Sequence, residues 1–200
     1  MKIDEWLNFF RKHKQKTVFT LADLSQLTGI KKNILSVELN RLTKSNLLQR
    51  AAKDFYENPF NPPTIEETAM VKRHPSYLSM EYALSQQGIL SQRACTLTLI
   101  TTKIPRIYKT KDITLEYHQI SRTLFWGYKK RGIIQIAEPE KALLDLIYIR
   151  NLKNKEMKIN DLKSMINDMN LEELDKNKLI EYSKKYPKNM QKILQSIGIE

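Results

Sequence analysis

The residues best suited to contact another molecule lie between Thr20 and Arg50, where basic, amide and hydroxyl side chains recur on one side of a predicted helix. Lysine and arginine can contact DNA phosphates or guanine, and asparagine can form two hydrogen bonds with adenine in the major groove. We therefore predict that this stretch binds double-stranded DNA. The predicted contact residues are Lys31, Lys32, Asn33, Ser36, Asn40, Arg41, Lys44, Arg50 and Lys53.

Two short helices joined by a tight turn are predicted to position these side chains. Thr20 and Asp23 have the spacing of a capping box, with Asp in place of the usual Glu, so the first of the two helices begins there. Gly29 can adopt the left-handed conformation without steric cost, which ends that helix. The second helix starts near Lys31, and its leucines at positions 35, 39 and 42 form a buried stripe that leaves the contact residues facing outward.

Two further elements would complete a winged helix over residues 1–58. Apolar residues with helical spacing, at positions 3, 6, 7 and 10, predict a helix that packs across the other two. Residues 46–50 and 53–57 interleave apolar and charged side chains and are predicted to pair as a hairpin, the wing. The alternative is a three-helix module that contacts only other proteins, but the basic outer face favours DNA.

Composition agrees with a nucleic-acid partner. The 200 residues include 34 Lys plus Arg against 22 Asp plus Glu, which gives a net charge of +12 and favours an anionic partner. The single cysteine, Cys95, excludes an internal disulfide and fits a reducing compartment. The first residues lack the pattern of a signal peptide, and no apolar run approaches the roughly 20 residues of a transmembrane helix. We therefore expect a cytoplasmic protein without a membrane partner.

Three prolines within residues 58–63 mark the predicted domain boundary, because proline disrupts regular hydrogen-bonded structure. Residues 59–150 are predicted to form an α+β domain with helices at 64–72 and 79–87. Strands are predicted at 96–100, 113–117, 123–128 and 133–136, in a small and mainly antiparallel sheet. A helix opens at Glu138-Pro139. Residues 151–200 are polar with helical spacing and predict a helical C-terminal appendage. The predicted fold class is α+β, a winged helix-turn-helix followed by a small mixed domain.

Two basic loops of the second domain, residues 103–111 and 128–132, follow predicted strands. If both lie at one edge of the sheet, they form a single cationic patch with tyrosines available for stacking on bases. Such a patch could hold RNA, DNA phosphates or an acidic protein surface; the alternative is that these side chains serve solubility. Its predicted members are Lys103, Arg106, Lys109, Lys129, Lys130 and Arg131.

Charged residues at the start of the helix after Pro139 have two interpretations. Glu138, Glu140, Lys141 and Asp145 could form an acid and base cluster of a catalytic site. Acids in a first helical turn also stabilise the helix dipole, and Lys141 with Asp145 has the spacing of an ordinary i, i+4 pair. We favour the structural interpretation.

Other signals of an enzyme or a cofactor are missing from the sequence. The three histidines, at positions 13, 74 and 118, lie in unrelated settings, and no HExxH or CxxC pattern offers a metal site. The five glycines are scattered, so no glycine-rich loop is available to hold a nucleotide phosphate. No segment has the pattern of a serine nucleophile elbow. We predict a protein that is not an enzyme and that needs neither metal nor cofactor.

Several motifs of the second domain resemble the AbiEi antitoxin family. They are Tyr77-Leu78-Ser79-Met80-Glu81-Tyr82-Ala83-Leu84 followed by Gln87-Gly88-Ile89-Leu90, then Thr101-Thr102-Lys103 with Arg106, and Ile136-Ala137-Glu138-Pro139-Glu140-Lys141-Ala142-Leu143-Leu144-Asp145. The resemblance covers roughly residues 1–150 and includes the winged helix placed before these motifs.

The resemblance implies two activities on one chain. The N-terminal domain would repress its own operon at inverted-repeat DNA, and the C-terminal domain would oppose a nucleotidyltransferase toxin. Such toxin–antitoxin systems are associated with abortive phage infection and are described as type IV, in which the antitoxin need not bind its toxin. Two other functions stay open: a one-component transcriptional regulator whose second domain binds a small ligand, and a module that binds a protein partner.

Overall fold

Two separate hydrophobic cores organise the chain. The computed structural model describes residues 1–92, 95–109, 113–155 and 157–198. These residues divide into two units, Met1–Lys72 and Arg73–Glu200. The class is α+β, as predicted.

The first unit contains helices and short strands in alternation. Its elements are α1 (Ile3–Lys12), β1 (Val18–Thr20), α2 (Leu21–Thr28), α3 (Lys32–Lys44), β2 (Arg50–Ala52), β3 (Phe55–Glu57) and α4 (Ile65–Lys72). The three predicted helices at the N-terminal end are confirmed. A hairpin also forms, but its first strand is Arg50–Ala52 and not residues 46–50 as predicted, because residues 46–48 still belong to the turn and bend that follow α3. Strand β1 was not predicted, because three residues are too few to display an alternating pattern.

One core holds this unit together. Strand β3 pairs antiparallel with β1 on one side and β2 on the other. Aromatic residues of α1 and β1 pack against leucines of α2 and α3, so the helices and the sheet bury their apolar side chains in the same core. The fully buried side chains of this core include Trp6, Phe10, Phe19, Leu24, Leu35, Leu39, Leu42 and Leu48.

The proline-rich segment is not the domain boundary that the sequence predicted. Asn58 is fully buried, and its Nδ2 donates to the carbonyls of Phe10 at 3.3 Å, His13 at 3.1 Å and Lys16 at 2.9 Å. These bonds tie the segment to α1 and the turn after it. Helix α4 then returns to the same unit, where Thr17 Oγ1 donates to Glu67 Oε1 at 3.0 Å. The first unit therefore ends at Lys72 and not at residue 58.

The second unit contains a mixed sheet and helices from both halves of its sequence. Its elements are β4 (Ser76–Leu78), α5 (Met80–Gln86), β5 (Thr96–Thr101), β6 (Arg106–Lys109), β7 (Thr114–Gln119), β8 (Tyr128–Arg131), β9 (Ile134–Ala137), α6 (Pro139–Ile147), α7 (Ile159–Asn167), α8 (Lys176–Ser183) and α9 (Asn189–Ser196). A π-helical segment, Tyr148–Lys153, follows α6, and 3-10 turns lie at Arg122–Leu124 and Leu171–Glu173.

Among the described residues, six strands form one sheet in the order β6-β7-β5-β4-β9-β8. Neighbours β6–β7, β5–β4 and β9–β8 are antiparallel, whereas β7–β5 and β4–β9 are parallel. The sheet is therefore more mixed than the mainly antiparallel one predicted. The strand predicted at 123–128 is wrong: the chain there forms the 3-10 turn, which buries Leu124 and half-buries Phe125 and Trp126 against the core. The aromatic residues of this segment gave it the pattern of a strand, but their side chains pack against the core and most of its backbone joins no sheet.

Residues 151–200 are not an appendage. Their apolar side chains belong to the same core as α5, α6 and the sheet. Backbone bonds join the two halves directly, since Asn170 N donates to Ile89 O at 2.7 Å. The residues that the tail buries in this core are Leu162, Ile166, Met169, Leu174, Leu179, Tyr186, Met190 and Leu194. The second unit therefore depends on its C-terminal helices for its core.

Candidate nucleic-acid interface

The turn between α2 and α3 is fixed by a set of short local bonds. Thr20 Oγ1 accepts from Asp23 N at 2.9 Å and Asp23 Oδ2 accepts from Thr20 N at 2.9 Å, which confirms the predicted capping box. Gly29 ends α2 in the left-handed conformation with φ of 72°. Beyond it, Ser25 Oγ donates to Ile30 O at 2.7 Å, which holds the start of α3 against α2. These bonds set the direction in which α3 leaves the turn.

Helix α3 separates its residues cleanly into two faces. Leu35, Leu39 and Leu42 are buried, with at most 3% of their surface exposed. The opposite face carries the side chains that the sequence predicted to contact DNA. All of these residues on or beside the helix are exposed: Lys31, Lys32, Asn33, Ser36, Asn40, Arg41 and Lys44.

The single acidic residue in the sequence of α3 is engaged elsewhere. Glu38 accepts from the N-terminal ammonium of Met1 at 3.0 Å and from Trp6 Nε1 at 3.1 Å. The hydrogen bond from the ammonium, aided by the one from Trp6, holds the pKa of this carboxyl below its usual value. Its charge is thereby neutralised on the side of the helix that faces α1, and the outer face keeps a positive balance.

The hairpin of β2 and β3 presents two more predicted contacts. Arg50 and Lys53 are both exposed. Arg50 Nε donates to Ala52 O at 3.1 Å, and its guanidinium lies 5.9 Å from the centre of the Tyr56 ring. Asp54, at the hairpin tip, has φ of 63°, a conformation that short polar residues tolerate in tight turns. The first unit therefore offers one exposed helix face and an adjoining basic hairpin in the chain order predicted.

The second unit does not bring its predicted basic residues together. Strands β6 and β8 form opposite edges of the sheet. Five strand spacings of about 4.8 Å put them about 24 Å apart. The prediction of one patch at one edge is therefore wrong, because the order of strands was not visible in the sequence. Lys103, Arg106 and Lys109 lie at the β6 edge and Lys129, Lys130 and Arg131 at the β8 edge, all exposed. Residues 110 and 111 of the first loop lie outside the described residues.

The Lys141–Asp145 pair, predicted as an ordinary i, i+4 pair, is the centre of a buried polar cluster whose burial and tyrosine partners the sequence reasoning missed. Lys141 and Asp145 have no exposed surface and form an ion pair. Lys141 Nζ also donates to Tyr77 Oη at 2.9 Å and to Tyr186 Oη at 2.8 Å, so its three protons all have acceptors. Asp145 accepts from both tyrosine hydroxyls, at 2.9 and 2.7 Å, and from Ser79 Oγ at 2.8 Å.

This cluster is closed and structural in its geometry. Burial, followed by the Asp145 charge, raises the pKa of Tyr77 and Tyr186 well above the ordinary tyrosine value. Burial lowers the pKa of Lys141, and Asp145 opposes that effect. One signal in the sequence could have revealed the cluster. The residues around Lys141 and Asp145 are apolar on every side of α6, and a helix that is apolar all round is buried.

The other acids of α6 join helices instead of forming a catalytic pair. Glu138 accepts from Tyr182 Oη at 2.7 Å and lies 3.2 Å from Lys178 Nζ. Glu140 accepts from Asp175 N at 3.1 Å and also lies 3.2 Å from Lys178 Nζ. Both carboxylates therefore attach α8 to the start of α6. The acids at the start of α6 therefore hold α8 in place, a role that the helix-dipole interpretation did not predict.

A second ionic cluster lies where the sheet meets the residues after α6. Arg150 donates to Glu81 Oε1 at 2.9 Å and to both oxygens of Glu116 at 3.3 Å. His118 Nε2 lies 3.1 Å from Glu116 Oε1. The bond from His118 and then those from Arg150 lower the pKa of Glu116 to about 2, against the effect of its partial burial.

Within the described residues, no group of three His, Cys, Asp or Glu side chains is arranged to hold a metal ion. The helices found in those residues are also too short or too polar to cross a membrane. No protein-family model and no curated protein matches the chain.

Proposed function

We propose that the protein is the antitoxin of a toxin–antitoxin system, and that it represses its own operon through a winged helix formed by the first unit. The observation that carries the DNA-binding part is the outer face of α3. The predicted contact side chains are exposed there, and the acid of that helix is neutralised by the N-terminal ammonium on another face. An autorepressor acts where the DNA is, so we place the protein in the cytoplasm.

Two groups of residues would make two kinds of contact with DNA, one with phosphates and one with bases. Lys31, Lys32, Lys44, Arg50 and Lys53 would neutralise phosphates and release counterions, which supplies affinity without sequence preference. The amide, hydroxyl and guanidinium groups of Asn33, Ser36, Asn40 and Arg41 would contact base edges in the major groove. Operator affinity should therefore fall steeply as salt concentration rises. Two copies on an inverted repeat would place both half-sites on one face of the duplex.

The test of DNA binding is the double substitution Asn40→Ala with Arg41→Ala. We expect it to abolish binding to the promoter fragment of the protein's own operon in a mobility-shift assay. The matched control is Asn8→Ala with Arg11→Ala, which removes the same two residue types from exposed positions on α1. Equal loss of binding in both double variants would overturn the assignment of α3 as the recognition helix.

The antitoxin part is supported by the motifs that resemble AbiEi proteins, most of which lie in the second unit. We propose that this unit opposes a nucleotidyltransferase toxin. The assay is growth rescue in a host whose genome carries a nucleotidyltransferase gene next to this one, with that gene expressed from an independent promoter. Full rescue by the Asn40→Ala, Arg41→Ala chain would separate antitoxicity from repression. Failure of the wild-type chain to rescue would overturn the antitoxin proposal and leave a DNA-binding regulator.

One observation favours a ligand-responsive regulator as the second candidate. A cleft of about 260 Å³ opens beside the start of α6, lined by Gln86, Lys129, Arg131 and Glu138 among others, and Lys129 Nζ lies 3.4 Å from Glu138 Oε1. Beyond that ion pair, Arg131 gives the cleft a net positive charge that suits a small anionic ligand. Mass spectrometry of the protein purified from its host and then denatured would detect such a molecule. A released anionic metabolite that alters promoter binding would favour the regulator over the antitoxin.

A further inference from the structure

An exposed apolar side chain sits at the centre of the polar face of α3. Val37 has 70% of its surface exposed. At 100° per residue, Asn33, Val37, Asn40 and Lys44 lie within a sector of about 60°, directly opposite the buried leucines. Valine there is unfavourable twice over, because it exposes apolar surface and because a β-branched residue is a weak helix former. An apolar group that covers Val37 would remove this surface from water.

We infer that Val37 contacts the C5-methyl group of a thymine and so makes the protein specific for a half-site that contains A·T pairs. This inference rests on the proposed binding of α3 in the major groove. The thymine methyl is the apolar group that the major groove presents, and aliphatic side chains recognise it. Lys44 on this sector and Arg41 beside it give this face the charge that fits DNA and disfavours an apolar protein partner.

The neighbours of Val37 point to the same base pairs. Asn33 and Asn40 flank it on the same sector, and asparagine forms its bidentate bonds with adenine, the partner of thymine. Seven residues of helix separate the two asparagines by about 10.5 Å, or about three base pairs. Val37 lies between them. A face with two adenine readers around one methyl reader would therefore select a short run of A·T pairs.

The test compares thymine with uracil, which lacks only the methyl group. The probe is the duplex that the full-length wild-type chain selects from a random library, with each thymine of the half-site replaced in turn by uracil. We expect one position at which the replacement weakens binding about fourfold, the effect of losing one buried methyl group. Val37→Ala should bind both duplexes equally, with the affinity that the wild type has for the uracil duplex.

A matched control removes another exposed aliphatic side chain from the same unit. Leu27, on α2, is 48% exposed, and Leu27→Ala should keep the fourfold preference for thymine. Val37→Ala should fold normally, because alanine is the better helix former at an exposed position. A circular dichroism melt and a sedimentation run check its fold and its oligomeric state.

Three results would overturn the inference. The wild type could bind a selected duplex without any preference for thymine over uracil. Val37→Ala could retain that preference, or it could dissociate an oligomer and leave the preference unchanged, which would make Val37 a contact between copies of the chain. Selection of no sequence at all is a different result, because it overturns the proposed DNA binding and this inference with it.

Discussion

The buried ion pair of α6 makes a quantitative prediction for the variant Asp145→Asn. The substitution leaves the Lys141 ammonium in a site without exposed surface, beside a neutral amide. Removing one partner of a buried pair typically costs about 3–5 kcal/mol of unfolding free energy. This loss of unfolding free energy has an upper limit, because Lys141 can lose its proton and stay buried as a neutral amine. At pH 7, deprotonating a lysine with an ordinary pKa of about 10.4 costs about 4.6 kcal/mol.

Because the free energy of deprotonating Lys141 falls as the pH rises, the stability of the variant depends on pH. In Asp145→Asn the pKa of Lys141 in the folded chain lies far below its value in the unfolded chain. Between these two values the unfolded chain binds one more proton, so the stability of the variant rises with pH. At pH 9 the cost of deprotonation has fallen to about 1.9 kcal/mol. The difference between wild type and variant should therefore shrink by about 1–3 kcal/mol from pH 7 to pH 9.

Urea denaturation followed by tryptophan fluorescence measures both effects. Trp126 reports on this site, since its ring lies 5.1 Å from Lys141 Nζ, and a Trp6→Phe background makes it the single emitter. The exposed Asp168→Asn should change stability by less than about 0.5 kcal/mol. The double variant Lys141→Met with Asp145→Leu should lose the pH dependence, because it removes both charges together, but it should not recover all of the stability, because the hydroxyls of Tyr77, Ser79 and Tyr186 lose Asp145 as their acceptor. A loss under about 1 kcal/mol at pH 7, or an equal loss at both pH values, would refute a charged, buried lysine.

Three further predictions concern single side chains. Asn58→Ala should lower the stability of the first unit by about 2–3 kcal/mol, because it removes the three hydrogen bonds from Asn58 Nδ2 to the carbonyls of Phe10, His13 and Lys16, and Trp6 fluorescence in urea measures this loss. Thr20→Ala should cost about 1 kcal/mol by removing the cap of α2, whereas Thr20→Ser should keep most of the stability in the same assay. The pKa of Glu116, lowered to about 2, means that its contribution is complete above about 4.5 and is lost as the pH falls toward 2. Glu116→Gln should therefore flatten the stability of the second unit over that interval, by about 2–3 kcal/mol, and an unchanged acid profile would contradict this.

The first unit was predictable because its signals are local. The capping box, the turn glycine and the leucine stripe of α3 each lie within a few residues of one another, and each describes the helix that contains it. Asn58 was misread for the opposite reason. Its three acceptors lie more than 40 residues away in the sequence, so the prolines beside it were visible and its anchoring bonds were not.

The second unit was less predictable because its decisive contacts are distant in sequence. Local alternation predicted β5, β7 and β9, whereas β6 and β8 lie in segments predicted as basic loops and β4 was not predicted. The order β6-β7-β5-β4-β9-β8 depends on pairings that no short pattern records. The Lys141 cluster likewise joins Tyr77, Lys141 and Tyr186, which are separated by 64 and 45 residues. The tail looked polar because its helices bury only one face each. Its apolar residues become a core only when α6 packs against them.

The basic residues on strands β6 and β8 can be explained without a ligand, whereas those on helix α3 cannot be explained in the same way. Lysines and arginines on β6 and β8 occupy the edge strands of a sheet, where charge prevents pairing with the edges of other molecules, and this explains them without a ligand. Helix α3 needs no such protection, because its backbone groups form their hydrogen bonds within the helix. There Lys44 shares one sector with two asparagines and an exposed valine, Arg41 lies beside that sector, and the acid of the helix is held on another face. The proposal that the first unit binds DNA therefore rests on this arrangement of side chains and not on the net charge of +12.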